Sequence, residues 1–166
     1  MQPEFHLSDA GEPAARDAIL SGLVAFNEKQ TGSRDFRPLA VLLRDESGAT
    51  VGGLWGRTAW KWLFIELLFV PEKLRRGGVG RELMRRAEAE AAKRGCHAVW
   101  LDTFSFQARG FYEKLGYSVF GRLDDYPPGH MRFFLRKKLR PGAKRKASAR
   151  RRGARSRSRS RLRARP

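Results

Sequence analysis

The sequence predicts an α+β fold: a mixed, mostly antiparallel central sheet of six to seven strands flanked by helices. Three observations predict it. Two strand-like runs, Pro38 to Arg44 and Thr50 to Thr58, flank the turn signal Asp45-Glu46-Ser47-Gly48, and a tight connection near Trp60-Lys61-Trp62 returns the chain into a third run, Leu63 to Val70. Runs joined by such short turns pair as an antiparallel meander. A helical pattern then separates Leu63–Val70 from the apolar run Ala98–Phe104, and a strand–helix–strand order of this kind makes a right-handed parallel crossover.

Taken in order, residues 4–8 suggest a short first strand. Ala10 to Gln30 reads as a helix, with Pro13 near its start and Ala18, Ile19, Leu23 and Phe26 on one face, the spacing of a 3.6-residue period. Gly52, Gly53 and Gly56 permit bends in the second run of the meander. In the crossover helix Val79, Leu83, Ala87 and Ala91 share a face, and Gly95 stops it. Ala108 to Leu115 is a short helix ended by Gly116. Two strands, Tyr117–Leu123 and Met131–Lys138, close the fold, joined by the loop Asp124–His130, which Pro127, Pro128 and Gly129 hold out of the sheet.

Composition sets the bounds. With 166 residues, 41% of them hydrophobic, the chain has one compact domain, residues 1–140, and an appendage, residues 141–166. The appendage holds twelve Lys/Arg and no acid, so of the formal charge of +18 about +6 remains for the domain. It includes Lys144-Arg145-Lys146, Arg150-Arg151-Arg152 and the Arg-Ser alternation from Arg155 to Arg161. Such a run buries no apolar surface and repels itself, which predicts a disordered tail. Residues 144–165 suit nucleic acid or another polyanion; a solubilising extension is the plainer alternative. The single cysteine, Cys96, excludes an internal disulfide and points to the cytoplasm. No apolar run approaches membrane-spanning length, no leader-like N-terminus is present, and no Cys/His spacing suggests a metal. A homodimer is compatible with all of this.

The most informative stretch runs from Val70 to Gly80, Val-Pro-Glu-Lys-Leu-Arg-Arg-Gly-Gly-Val-Gly. It carries a strand into a helix through a basic, glycine-rich turn. Amides at a helix N-terminus point at a ligand and the helix dipole favours an anion there. Gly77, Gly78 and Gly80 let a phosphate approach the backbone, and Arg75 and Arg76 add charge-assisted bonds. Neither the Walker string nor the dinucleotide fingerprint is present. What remains is Arg-x-x-Gly-x-Gly, on Arg75, Gly78 and Gly80.

With the downstream block Phe111-Tyr112-Glu113-Lys114-Leu115-Gly116-Tyr117, this resembles the GNAT superfamily of N-acetyltransferases, over about residues 1–140. Leu101 to Ala108, together with Asp124 to His130, is similar to a bacterial subgroup of small acetyltransferases. The resemblance implies acetyl-coenzyme A as co-substrate and a primary amine as acceptor, on a small molecule or, alternatively, on a protein or peptide found through the basic tail. A third alternative, of another class, is a non-catalytic nucleic-acid-binding protein on the same fold. The resemblance implies that Arg75, Arg76, Gly77, Gly78, Val79 and Gly80 cradle the pyrophosphate, that the backbone of Phe69 and Val70 pairs with the pantetheine arm, and that one of those amides polarises the thioester carbonyl. Phe111 is core or a wall of the cofactor groove.

Two catalytic roles are expected. Tyr112 is the acid: a phenol, with a reference pKa of about 10, keeps its proton at neutral pH and can give it to a thiolate. Glu66 is the base, a carboxylate inside the otherwise apolar run Leu63–Phe69, where burial raises its pKa; an outward-facing side chain paired with Arg57 or Lys61 is the bland alternative. His130 competes for the role. Asp125, Tyr126, His130 and Trp55 are expected around the acceptor, although Asp-Asp before Pro-Pro is also ordinary turn chemistry.

Overall fold

The computed structural model describes residues 3–139. The basic segment, and the expectations of disorder and polyanion binding attached to it, lie outside the described residues. The elements are α1 Pro13–Thr31, β1 Arg37–Arg44, β2 Thr50–Ala59, β3 Trp62–Phe69, a 3-10 turn Glu72–Leu74, α2 Val79–Lys93, β4 Ala98–Phe104, α3 Arg109–Lys114, β5 Ser118–Asp124 and β6 Met131–Lys138. The strands form one sheet in the order β1-β2-β3-β4-β6-β5. All neighbours are antiparallel except β3 and β4, which run parallel on either side of the α2 crossover.

The meander has a sharper corner than its sequence advertises. Trp60 and Lys61 alone link β2 to β3, with φ of 47° and 60°. Two positive φ values give the turn a twist that matches the flanking strands, here without a glycine. Asp45 closes the β1–β2 turn by accepting hydrogen bonds from the amides of Ser47 and Ala49, both at 3.0 Å, and from the Ser47 hydroxyl at 2.6 Å. These bonds pull its carboxyl below the usual range, the Ser47 hydroxyl most of all.

The core lies on one face of the sheet. Leu54, Leu63, Val99, Leu101 and Leu135 are almost wholly enclosed there, under Leu83, Met84, Ala87 and Ala91 of α2. That is the helix stripe read from the sequence, with Met84 added. In the second half of α2, Glu88 accepts hydrogen bonds from the Tyr117 hydroxyl at 2.8 Å and from Lys137 Nζ at 2.7 Å, tying the helix to the start of β5 and to β6.

One expectation fails. Residues 4–8 form no strand, so among the described residues the sheet has six strands, the lower of the two expected counts. Phe5 and Leu7 are 94% and 97% exposed; without a neighbour to complete its ladder, an extended segment is not a strand. The α1 stripe is also uncovered. Helix α1 starts at Pro13 and ends at Gly32, but no residue in it is buried.

Candidate active site

The site begins with one extra residue. Along β2 and β3, Trp55 faces Leu67 and Gly56 faces Ile65, so Glu66 has no opposite number and forms a bulge. Gly56 makes the bulge feasible: a Cβ there would lie 2.2 Å from the Phe64 carbonyl oxygen and 3.2 Å from Ile65 Cα. A bulge bends its strand and increases the local twist. Consistent with that, β3–β4 pairing ends at Ile65 and Leu101 although β3 continues to Phe69 and β4 to Phe104. Beyond the bulge the two parallel strands splay. The backbone groups of Glu66–Phe69 that face β4 are left without a strand partner, and a wedge opens between the strands.

The glycine-rich turn stands at the mouth of that wedge. Gly78, with φ 82°, precedes α2 in a left-handed conformation, Arg76 is also left-handed at φ 65°, and no side chain caps the helix. The first bond into the helix runs from Glu82 N to Gly78 O at 3.0 Å. None of the six amides from Arg76 to Arg81 has an acceptor among the described residues. Six consecutive unpaired donors at a helix N-terminus form a ready site for an anion. Arg75 donates its Nε to the Val70 carbonyl at 3.0 Å and so fastens the turn to the end of β3. That is a structural duty which the sequence did not disclose.

Gly80 also makes room for a neighbouring ring. A Cβ there would come 3.2 Å from Phe111 Cζ and 3.8 Å from Val70 Cγ2. Its missing side chain admits the Phe111 ring, so Val70, Gly80 and Phe111 meet at one point. Phe111 in turn stands edge-on to Tyr112, with ring centroids 5.1 Å apart. The turn, the end of β3 and α3 thus lead in unbroken contact to the Tyr112 phenol.

Tyr112 is 8% exposed, and its hydroxyl has no hydrogen-bond partner among the described residues. No buried side-chain polar atom is left unsatisfied among the described residues, so the hydroxyl reaches solvent. Burial, and secondarily the Asp102 carboxylate, push its pKa up to about 12. The ring is held and the proton is retained.

Glu66 departs from its expectation. It is exposed, not enclosed: with Leu63 and Ile65 facing the core, alternation sets Glu66 on the opposite face beside Phe64, where its Oε1 pairs with the Arg57 guanidinium, and the bulge turns Leu67 out as well. The expected burial is therefore absent, and Glu66 is the outward-facing partner of Arg57. Its Oε2 has no partner among the described residues.

The remaining candidates divide between scaffold and rim. Asp125 is turn chemistry: its Oδ1 accepts from Gly129 N at 2.7 Å, closing the β5–β6 loop. Tyr126 and His130 belong to a cluster of rings. Phe104 and Phe106 stack at 5.2 Å, Tyr126 lies 6.2 Å from Phe104, and His130 stands edge-on to Phe106 at 4.9 Å. Ser105 Oγ lies 3.3 Å from His130 Nδ1. Arg132, which sequence reasoning missed, sits over Phe104, Tyr126 and Phe134 and is fixed by Asp102, 2.8 Å from Nε and 2.7 Å from a terminal nitrogen. Only the alternation of β6 could have put it on the same face as Asp102. Trp55 is half exposed opposite Leu67, on β2 and apart from this cluster in the sheet.

Comparison with known proteins gives a consistent result. The sequence profile of the Acetyltransferase (GNAT) family matches residues 12–117. Acetyltransferase Atu2258 of Agrobacterium fabrum is 39% identical over 81% of this chain and 98% of its own length. Blasticidin-S acetyltransferase of Streptomyces morookaense is 39% identical over 67% of this chain and 85% of its own. A crystal structure of an acetyltransferase from Agrobacterium tumefaciens superposes with a TM-score of 0.79 at 38% identity, covering 82% of this chain and 99% of that one.

Proposed function

Because this chain belongs to the GNAT acetyltransferase family and is thus an acyl-CoA-dependent acyltransferase, we propose that it transfers the acetyl group of acetyl-CoA to a primary amine of a small molecule. The observation that carries the reading is the run of six unpaired amides, Arg76 to Arg81, at the mouth of the β3–β4 wedge. An anion receptor and a free strand edge side by side suit a ligand with a diphosphate and an amide-bearing arm.

Acetyl-CoA supplies an activated acyl thioester. The chain does the rest. The turn amides and the Arg75 and Arg76 side chains hold the diphosphate. The unpaired edge of Glu66–Phe69 aligns the arm, and an amide of Phe69 or Val70 polarises the carbonyl. Glu66 Oε2 accepts a proton from the incoming amine as the carbon–nitrogen bond forms. Tyr112 gives its proton to the sulfur as the carbon–sulfur bond breaks, and recovers one from solvent. A phenol pushed up to about 12 stays protonated between turnovers. Tyr126, His130 and the neighbouring rings line the acceptor's approach, and a relative named for blasticidin S supports a small-molecule amine.

Calorimetric titration with acetyl-CoA, followed by thiol release across an amine panel that includes blasticidin S, tests the proposal. Saturable binding and amine-dependent thiol release are expected. Absence of binding overturns it; binding with release only on peptide amines moves the acceptor class to proteins.

A further inference from the structure

We infer that the face of the sheet opposite the core is covered by α1 of a second copy of this chain, in a twofold dimer that exchanges its N-terminal helices. Two observations meet here. The first is a helix with nothing to pack on. Ile19, Leu20, Leu23 and Phe26 form one stripe of α1 and are 73%, 39%, 55% and 62% exposed. A helix this solvated draws little stability from its own backbone, since helices in proteins are held mainly through a packed apolar face. The second is a sheet face on which no described helix or loop packs. Leu42, Trp55 and Phe120 are 42%, 47% and 49% exposed. Trp62, Trp100, Phe120, Phe134 and Arg136 border an open hollow of about 410 Å³ on the same face, where Phe64 stacks on Trp100 at 3.9 Å.

Within one chain these surfaces do not meet. The end of α1 is pinned beyond the β2–β3 corner, where the Trp60 indole donates to Thr31 Oγ1 at 3.1 Å and Trp60 N to the Arg34 carbonyl at 2.8 Å. From that anchor the stripe runs off uncovered. Areas favour a second copy as the occupant. Taking a large apolar side chain as roughly 150–250 Å², the exposed parts of the four stripe residues come to about 340–570 Å² and those of Leu42, Trp55 and Phe120 to about 210–340 Å². Patches of this size on a monomer usually mark an interaction site. Two helices on two faces then bury about 1,100–1,800 Å², a range that spans the standard specific interface. A pair related by a twofold axis satisfies both patches at once, because the same two surfaces are used on each side.

The experiment is light scattering and sedimentation on the full chain over about 1–100 μM, in salt high enough to screen the basic tail. Wild type is expected at twice the chain mass of 18.9 kDa. The double substitution Leu23→Glu/Phe26→Glu and, separately, Trp100→Glu are each expected as monomers with wild-type circular dichroism; Phe120→Glu replaces Trp100→Glu if the latter does not fold. Mixing the helix variant with the face variant is decisive. One intact helix then finds one intact face, and a dimer of unlike chains returns. A monomeric wild type overturns the inference, as does a helix variant that stays dimeric. Failure of the two variants to pair overturns it in favour of α1 closing on its own chain. None of these readouts involves catalysis.

Discussion

The two halves of β3 teach more when set against each other than either does alone. Up to Ile65 the strand is paired on both sides, and Leu63 and Ile65 are 0% and 3% exposed. After Glu66 it is paired only to β2, and Leu67 and Phe69 are 65% and 57% exposed. Apart from Glu66 itself, composition barely changes across the boundary: Trp62-Leu63-Phe64-Ile65 before it and Leu67-Leu68-Phe69 after it are all large and apolar. One unpaired residue separates a segment that stabilises from a segment that can bind. If so, the halves should respond oppositely to substitution. Leu101→Ala, at the last rung of the paired half, should cost about 2–5 kcal/mol through a cavity in the core. Leu67→Ala, beyond the bulge, should stay within about 0.5 kcal/mol. Urea unfolding of both variants checks this, and equal losses would erase the distinction between the halves.

The next largest effect falls on Tyr112, at the splayed end. Tyr112→Phe keeps the ring against Phe111 and removes only the proton donor. Turnover should fall by about 10²–10³, within the range for a positioned general acid. Affinity for acetyl-CoA and the unfolding midpoint should hold. A drop in affinity equal to the drop in rate would assign the hydroxyl to binding.

Much of this comparison was legible in the residues, and the failures have physical causes. The crossover order, the glycine-rich turn and Phe111-Tyr112 are local patterns, and the structure joins the last two through Gly80. The splay is not local: it depends on a register in which Gly56 lies across from a bulged Glu66. The expectation that Glu66 is enclosed rests on the apolar run around it, and composition does not tell which face of the strand is covered: with Leu63 and Ile65 on the core side, Glu66 falls on the other. Residues 4–8 and the α1 stripe carry local patterns but lack partners among the described residues, and pattern alone does not report a partner.

Gly80 sharpens the comparison from the turn's side. Gly80→Ala brings a Cβ to 3.2 Å from Phe111 Cζ, so the ring must yield by a few tenths of an ångström. That shift acts on the junction of the turn and α3, far from the paired half of β3. Affinity for acetyl-CoA should weaken about three- to tenfold, with thermal stability changed by less than about 1 kcal/mol. If stability falls and affinity holds, Gly80 serves the core and not the receptor.

The smallest predicted effect separates two neighbouring phenols. Tyr117 donates to Glu88 at 2.8 Å and is sealed in the structural half; Tyr112 has no partner among the described residues and faces the wedge. Both are pushed above the usual tyrosine value, chiefly by burial, Tyr112 from about 10 to about 12. The sign follows from linkage. The folded chain holds a proton on Tyr112 that the unfolded chain releases first, so its contribution to stability is complete below pH 10 and is lost as pH rises towards 12. At pH 11 the loss assignable to Tyr112 is about 1 kcal/mol, and Tyr112→Phe should lack that part of the alkaline decline while keeping the part due to Tyr117. Urea unfolding of both proteins at pH 8 and pH 11 measures the difference. Identical alkaline slopes would mean that the Tyr112 hydroxyl is as open to water in the folded chain as in the unfolded one, and that the wedge is wider than its walls indicate.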